Sequence, residues 1–163
     1  MDTGSKKYEP GTLLPSDNPK IPPAQFPFHH CLPVQMRFTD IDMLGHLNNN
    51  VYLSFMDLAK VSYFSDVLPD GMNWHDIHAV VVHISCDFYS PSYFNESLEV
   101  WTTVTSVSTH SFKMEQRIIN ATSGATKCIG YTVMAGFDPA TAKGQAIDRE
   151  WVERVSAYEG RKL

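Results

Sequence analysis

The rhythm of apolar and polar positions changes several times along the chain. From Pro33, Val34, Met36 and Phe38 alternate with Gln35, Arg37 and Thr39, a two-residue period that predicts a half-buried strand. A polar, glycine-containing turn follows, from Asp40 to His46. Asn48 and Asn49 are good helix N-caps, and the run from Asn50 to Leu68 holds neither Gly nor Pro until Pro69-Asp70-Gly71 stops it. Val51, Leu53, Phe55, Met56, Leu58, Val61, Phe64 and Val67 do not share one narrow stripe. A helix apolar on nearly every side needs burial on most sides, so the rest of the chain must wrap it.

Four further segments read as strands: Ala79 to Tyr89, Leu98 to Val107, Ser111 to Asn120 and Thr126 to Phe137. Short polar breaks at Ser108-Thr109-His110 and Thr122-Ser123-Gly124 suit antiparallel hairpins. A terminal helix is expected from about Asp148 to Glu159. The predicted class is α+β, a five-stranded antiparallel sheet around one long central helix. Such a sheet leaves strand edges open, and pairing into a homodimer or homotetramer is the expected remedy.

Seven of the ten prolines precede residue 34. Residues 1–31 therefore read as a proline-rich arm, either loose or laid extended over a partner surface, ahead of a domain over residues 32–163. At 163 residues, 43% hydrophobic and 19% charged, the chain suffices for one domain with a real core. Net charge is −5 and no Lys/Arg run exceeds two residues, so nucleic acid is not an expected partner. No segment has the apolar length of a signal peptide or a membrane span, and a cytoplasmic location is expected. Cys31, Cys86 and Cys128, odd in number and widely spaced, form neither a disulfide framework nor a metal pair.

Reactive residue types are densest in the turn before the central helix. The segment Phe38-Thr39-Asp40-Ile41-Asp42-Met43-Leu44-Gly45-His46-Leu47-Asn48-Asn49-Asn50-Val51-Tyr52 resembles the Asp-x-x-Gly-His-x-Asn-Asn-x-x-Tyr signature of hot-dog acyl-CoA thioesterases. It is most similar to the 4-hydroxybenzoyl-CoA thioesterase-like group. Asp87-Phe88-Tyr89-Ser90-Pro91 and Leu98-Glu99-Val100 resemble the family's later strands, and the likeness spans about Pro33 to Phe137. It implies a hot-dog fold and hydrolysis of an acyl-CoA, or acyl-carrier-protein, thioester without metal or cofactor. Asp42 is implied as nucleophile or general base, and the backbone N–H near Asn49 as the group that holds the thioester carbonyl. His46 is implied to orient water or to hydrogen-bond the carbonyl or the carboxylate.

The same residues make chemical sense on their own. The first turn of a helix presents unpaired N–H groups and about half a positive charge, which polarise a carbonyl and stabilise the oxyanion it becomes. Gly45 lets backbone approach a substrate closely. Asp40 reads as a turn-former, and Asn48 as a cap beside any binding role. Tyr52 either lines an acyl pocket or packs in the core. Ser111 and Lys113 lie where the family often places CoA contacts, with Arg37 a further candidate for the CoA phosphates.

Other constellations carry less. His75 and His78 have the wrong spacing for a zinc pair on one helix face. His83, Ser85 and Asp87 share a strand face at steps of roughly 7 Å, too far for a relay, and no Gly-x-Ser-x-Gly elbow exists. They read as a polar sheet face or a subunit interface, and Cys86 as core. Two other classes use the same fold: a binding module without turnover, and an enoyl-CoA hydratase.

Overall fold

The computed structural model describes residue 13, residues 15–68 and residues 77–163. Strand β1 (His30–Val34) leads through a short 3-10 turn (Phe38–Asp40) to helix α1 (Asn49–Val67). Strands β2 (Ala79–Phe88), β3 (Leu98–Val107), β4 (Ser111–Asn120) and β5 (Thr126–Asp138) follow, then the two-residue β6 (Lys143–Gly144) and helix α2 (Arg149–Glu159). The sheet runs β1-β3-β4-β5-β2 with every neighbour antiparallel, and β6 adds a short pairing to β5.

The two-residue period places one face of this sheet against α1. At Gly130 the absence of a side chain leaves room for Met56: a Cβ there would stand 2.5 Å from Met56 Sδ, so any larger residue makes the methionine side chain move. Met56 and Tyr52 pack with Leu98, Val100, Ile118 and Cys128 under the first half of α1. Tyr63 and Phe64 pack with Val104, Phe112 and Met114 under the second half, where Trp151 and Val155 of α2 join them.

The first strand departs from expectation. Pairing ends at Val34, and residues 38–40 form a tight turn instead of continuing the alternation. The cause is the Asp40 carboxylate, which accepts from the Arg37 N–H at 2.8 Å and from the Arg37 guanidinium at 2.9 Å. Met36 is buried, but Phe38, expected on the same face, is exposed. The strand also begins at His30, inside the stretch read as the arm. The described residues ahead of it lie on this chain's own sheet: Phe28 packs with Trp101 and Ile119 on the face opposite α1. Helix α1 is also less enclosed than its composition suggests. Leu58 and Val61 remain exposed, because the sheet covers one side of the helix only. The Pro69-Asp70-Gly71 stop and His75 fall outside the described residues.

Two devices close the sheet at β3. Strand β1 pairs with Leu98 to Thr102 only. Beyond it, the Glu159 carboxylate at the end of α2 accepts from the Val104 N–H at 2.9 Å, the Thr103 hydroxyl at 2.8 Å and the Tyr63 hydroxyl at 2.6 Å. Arg161 donates to the Val104 carbonyl and stacks on Phe26, 4.1 Å from the ring centroid. Among the described residues strand β2 has no such cover on its outer edge, and Val80, Val81, Val82, Ile84 and Phe88 are exposed along it.

His30 sits in the same buried region, with Nε2 at 3.0 Å from Ser62 Oγ and, among the described residues, no partner for Nδ1. Burial pushes its imidazole below the ordinary value, against the upward pull of Asp66 and Glu159. In the unfolded chain the ring takes a proton near 6.5. Stability that depends on a neutral His30 is thus complete above that pH and is lost as pH falls below it. His30→Gln is expected to flatten this part of the dependence of Tm on pH. An unchanged slope would assign the loss to other groups.

Candidate active site

The turn before α1 builds the site from within itself. Asp42 Oδ1 accepts two backbone N–H groups, Leu44 at 2.8 Å and His46 at 3.2 Å. Its own N–H donates to the His46 carbonyl at 2.8 Å, and the Gly45 N–H to the Asp42 carbonyl at 3.0 Å. Gly45 has φ +78°, with open space where a Cβ would stand, so the demand for glycine is purely conformational. The result is a carboxylate with one oxygen anchored. Among the described residues the other oxygen, Oδ2, receives no hydrogen bond.

The helix start meets this carboxylate. Asn48 is the N-cap: its Oδ1 accepts from the Asn50 N–H at 3.3 Å, and its carbonyl accepts from the Val51 N–H at 2.9 Å. Its own N–H donates to the Asp40 carbonyl at 2.9 Å, which ties the helix to the Arg37–Asp40 turn. That clamp holds the Asp40 carboxyl below its ordinary value, chiefly through the guanidinium hydrogen bonds. The first helical N–H, that of Asn49, has no acceptor among the described residues and points a helix dipole's positive end outward.

These groups share a cleft of about 370 Å³, lined by Asp42, His46, Asn49 and Tyr52 on one side and by Phe88 and Ser90 on the other. His46 stands edge-on to Tyr93, centroids 5.3 Å apart. Tyr52 does both things the sequence left open. It lines the cleft and is a buried member of the core, its hydroxyl donating to Ser92 Oγ at 2.9 Å. Burial pushes that phenol up, with the Ser92 hydrogen bond acting against it. A wider hollow, about 540 Å³, runs between Pro33–Met36 and Phe94–Glu99, but its Glu96 is already bound to Lys127 at 2.7 Å. Among the described residues no group of three or more His, Cys, Asp or Glu side chains could hold a metal ion.

Asp42, Gly45, His46, Asn48, Asn49 and Tyr52 therefore come together. Ser111 and Lys113 do not join them within one chain. Ser111 pairs with Ala135, which pairs with Val80, whereas the cleft lies at Phe88 near the other end of β2. Arg37 is engaged with Asp40. Sequence reading missed Phe88, Ser90 and Ser92 as site residues. The Ser90-Pro91 break after β2 was the signal, since a strand end lies where loops carry function.

The profile of the thioesterase-like superfamily matches residues 36–155. No curated protein matches the chain. Among solved structures, a thioesterase from Thermus thermophilus, in complex with coenzyme A and zinc, is 30% identical. The match covers 83% of this chain and 98% of that one, with TM-score 0.74. A 1,4-dihydroxy-2-naphthoyl-CoA thioesterase from Synechocystis is 22% identical over 77% of this chain and 94% of its own, with TM-score 0.68. A DHNA-CoA thioesterase from Staphylococcus aureus is 19% identical over 80% and 91%, with TM-score 0.70. Among the described residues no helix is long and apolar enough to cross a membrane. A hot-dog sheet, a free helix N-terminus beside an anchored carboxylate, and a profile match over most of the chain converge: the chain belongs to the thioesterase-like superfamily and is a thioester hydrolase.

Proposed function

We propose that the protein hydrolyses an acyl-CoA thioester, with Asp42 as nucleophile or general base and the Asn49 N–H polarising the carbonyl. The observation that carries this reading is the pairing, in one cleft, of a half-anchored carboxylate with a helix N–H that has no acceptor among the described residues. Two N–H groups on Oδ1 hold the Asp42 side chain in place, which leaves Oδ2 to attack the acyl carbon or to take a proton from an attacking water. Either route puts negative charge on the carbonyl oxygen, where the helix start stabilises it. The C–S bond then breaks and the CoA thiolate leaves. His46, at the cleft wall, orients water or hydrogen-bonds the reacting group. The solved complex of the Thermus thioesterase with coenzyme A supports CoA as the leaving thiol.

The active unit is a dimer through β2. Its open edge and exposed valines suit pairing with a second copy. In an antiparallel β2–β2 pair, the Ala79 end of one copy meets the Phe88 end of the other. Because Ser111 is in register with Val80 through Ala135, the second copy's Ser111 and Lys113 come alongside this cleft and supply CoA contacts. Val82→Lys at the edge is expected to give a monomer by sedimentation with a large rise in KM for acyl-CoA. A wild-type monomer with full turnover would remove this arrangement.

The test of the function is thiol release from short, medium, long and aromatic acyl-CoAs. Release from at least one class is expected. Tight binding of a nonhydrolysable CoA thioether, with no thiol released from any member, would overturn hydrolysis in favour of a binding module. Loss of enoyl absorbance without free thiol would point to a hydratase.

A further inference from the structure

The wall of the cleft opposite the Asp42 turn belongs to the connection between β2 and β3, residues 89–97. Tyr93 and Phe94 are exposed in it, and a loop so open to water is ordinarily mobile. This one is gripped by a side chain at the start of β5. Lys127 is 6% exposed. Its Nζ donates to the Pro91 carbonyl at 2.9 Å and to Glu96 Oε1 at 2.7 Å. The other carboxylate oxygen, Glu96 Oε2, accepts from the Tyr93 N–H at 3.1 Å. At the opposite end of the lysine, its carbonyl accepts from the Tyr89 N–H at 2.9 Å. Lys127 therefore holds the loop at Tyr89 and Pro91 directly, and at Tyr93 through Glu96.

Burying an ammonium is costly, and a buried ion pair adds little net stability compared with apolar packing of the same volume. What this pair does set is geometry, because the far side of the loop touches the turn and helix of the site. Ser92 is fully buried there. Its carbonyl accepts from the Leu47 N–H at 2.8 Å, between His46 and Asn48, and its Oγ accepts from the Tyr52 hydroxyl at 2.9 Å. Ser92 is thus the fixed point of the loop on the site side, and Tyr93 is the next residue out. The Tyr93 ring stands edge-on to His46, with centroids 5.3 Å apart and planes at 80°. Lys127 does not line the cleft itself. It reaches the site through Glu96, Tyr93 and His46, each in contact with the next.

Resting on the acyl-CoA thioesterase reading above, we propose that Lys127 is a positioning residue that acts on the reaction through His46. The Lys127–Glu96 pair fixes the Tyr93 N–H, the Tyr93 ring then backs one side of His46, and the imidazole is kept at the cleft wall. Without the ammonium, Glu96 loses its charge partner and gains by turning into water, since its side chain is already 20% exposed. The Tyr93 N–H then loses its acceptor, and the ring loses its fixed place beside His46. A misplacement of about 1 Å at a reacting group costs roughly 10²-fold in rate. The loss belongs in kcat, because His46 acts on the reacting group while the body of the substrate is bound elsewhere.

The test measures kcat and KM by thiol release with the full-length protein. Acetyl-, octanoyl-, palmitoyl- and benzoyl-CoA are tried, and the one that wild type hydrolyses fastest is used throughout. Lys127→Met is expected to lower kcat at least about tenfold and to move KM less than about threefold. Lys127→Arg, which keeps a cation within reach of Glu96, should recover most of that loss. His46→Ala lowers kcat by itself. Lys127→Met added to it should cost less than about twofold more, because no imidazole remains to be positioned. Glu96→Ala, at a more exposed position, should show the same kcat loss and the same dependence on His46. It decides the matter if Lys127→Met does not fold. Losses that multiply in the double variant would overturn the proposal while hydrolysis itself stands. So would a lowered Tm with wild-type kcat in Lys127→Met, or an unchanged kcat in His46→Ala. No thiol release by wild type from any of the four would instead remove the thioesterase reading and this proposal with it.

Discussion

Asp42→Asn is expected to lower kcat by two or more orders of magnitude while leaving the protein folded. The replacement keeps the shape of the side chain and a carbonyl oxygen that still accepts the Leu44 and His46 N–H groups, which now bond at 2.8 and 3.2 Å. What it removes is the basic, nucleophilic oxygen at Oδ2. A positioned general base contributes typically about 10²–10⁴-fold, and loss of a nucleophile costs at least as much. The Asn49 N–H and the cleft remain, so substrate binding should change little and the loss should appear in kcat, not KM. Thiol release measured beside a thermal melt checks both halves. Turnover close to wild type, with Tm retained, would remove Asp42 from the chemistry.

The largest effect on stability is expected at Glu159. Its carboxylate gathers the Tyr63 and Thr103 hydroxyls and the Val104 N–H, with the Arg161 guanidinium 3.8 Å away. Glu159 is 3% exposed, so water does not replace it readily. Burial, reinforced by the adjacent carboxylate, keeps the Tyr63 phenol far above its ordinary value and so protonated as the donor. Glu159→Ala strands three donors and leaves Arg161 without its counter-charge. Breaking a buried charged network in this way costs about 3–5 kcal/mol, or roughly 10 °C in Tm for a chain of this size. Glu159→Gln keeps one acceptor and should cost less. Urea unfolding of both variants measures the difference. A loss below about 1 kcal/mol for the alanine variant would mean that water enters and solvates the network.

Much of this fold is legible in the chain because its signals are local. Strands β3 and β4 begin and end where the two-residue period does, and α2 starts after its Asp148 cap, whose carboxylate accepts from the Glu150 N–H at 3.1 Å. Helix α1 starts one residue before the predicted position, because Asn48 alone is the cap and Asn49 is already helical. The core of the candidate site was equally accessible. Asp42, Gly45, His46, Asn48 and Asn49 lie within eight positions, and the hydrogen bonds that shape them join near neighbours in sequence.

The misreadings arise where local pattern competes with contacts that periodicity does not record. Alternation predicted a strand through Phe38, but the Arg37–Asp40 clamp bends the chain there. The apolar helix predicted enclosure, yet one sheet face covers one side of a cylinder and leaves Leu58 and Val61 exposed.

By itself the sequence determined the elements, the turn and the carboxylate at the helix start, since each depends on backbone geometry and hydrogen bonds over a few residues. Tertiary structure alone decided which distant groups meet them. Phe88 and Ser90 wall the cleft from the end of β2, Tyr63 reaches Glu159 across 96 positions, and Lys60 is turned inward where a helix-surface charge would face water. The physical reason is that burial and strand order are properties of the packed sheet. Period and propensity say which face of an element is apolar, and only packing decides what that face, or its open edge, is given to touch.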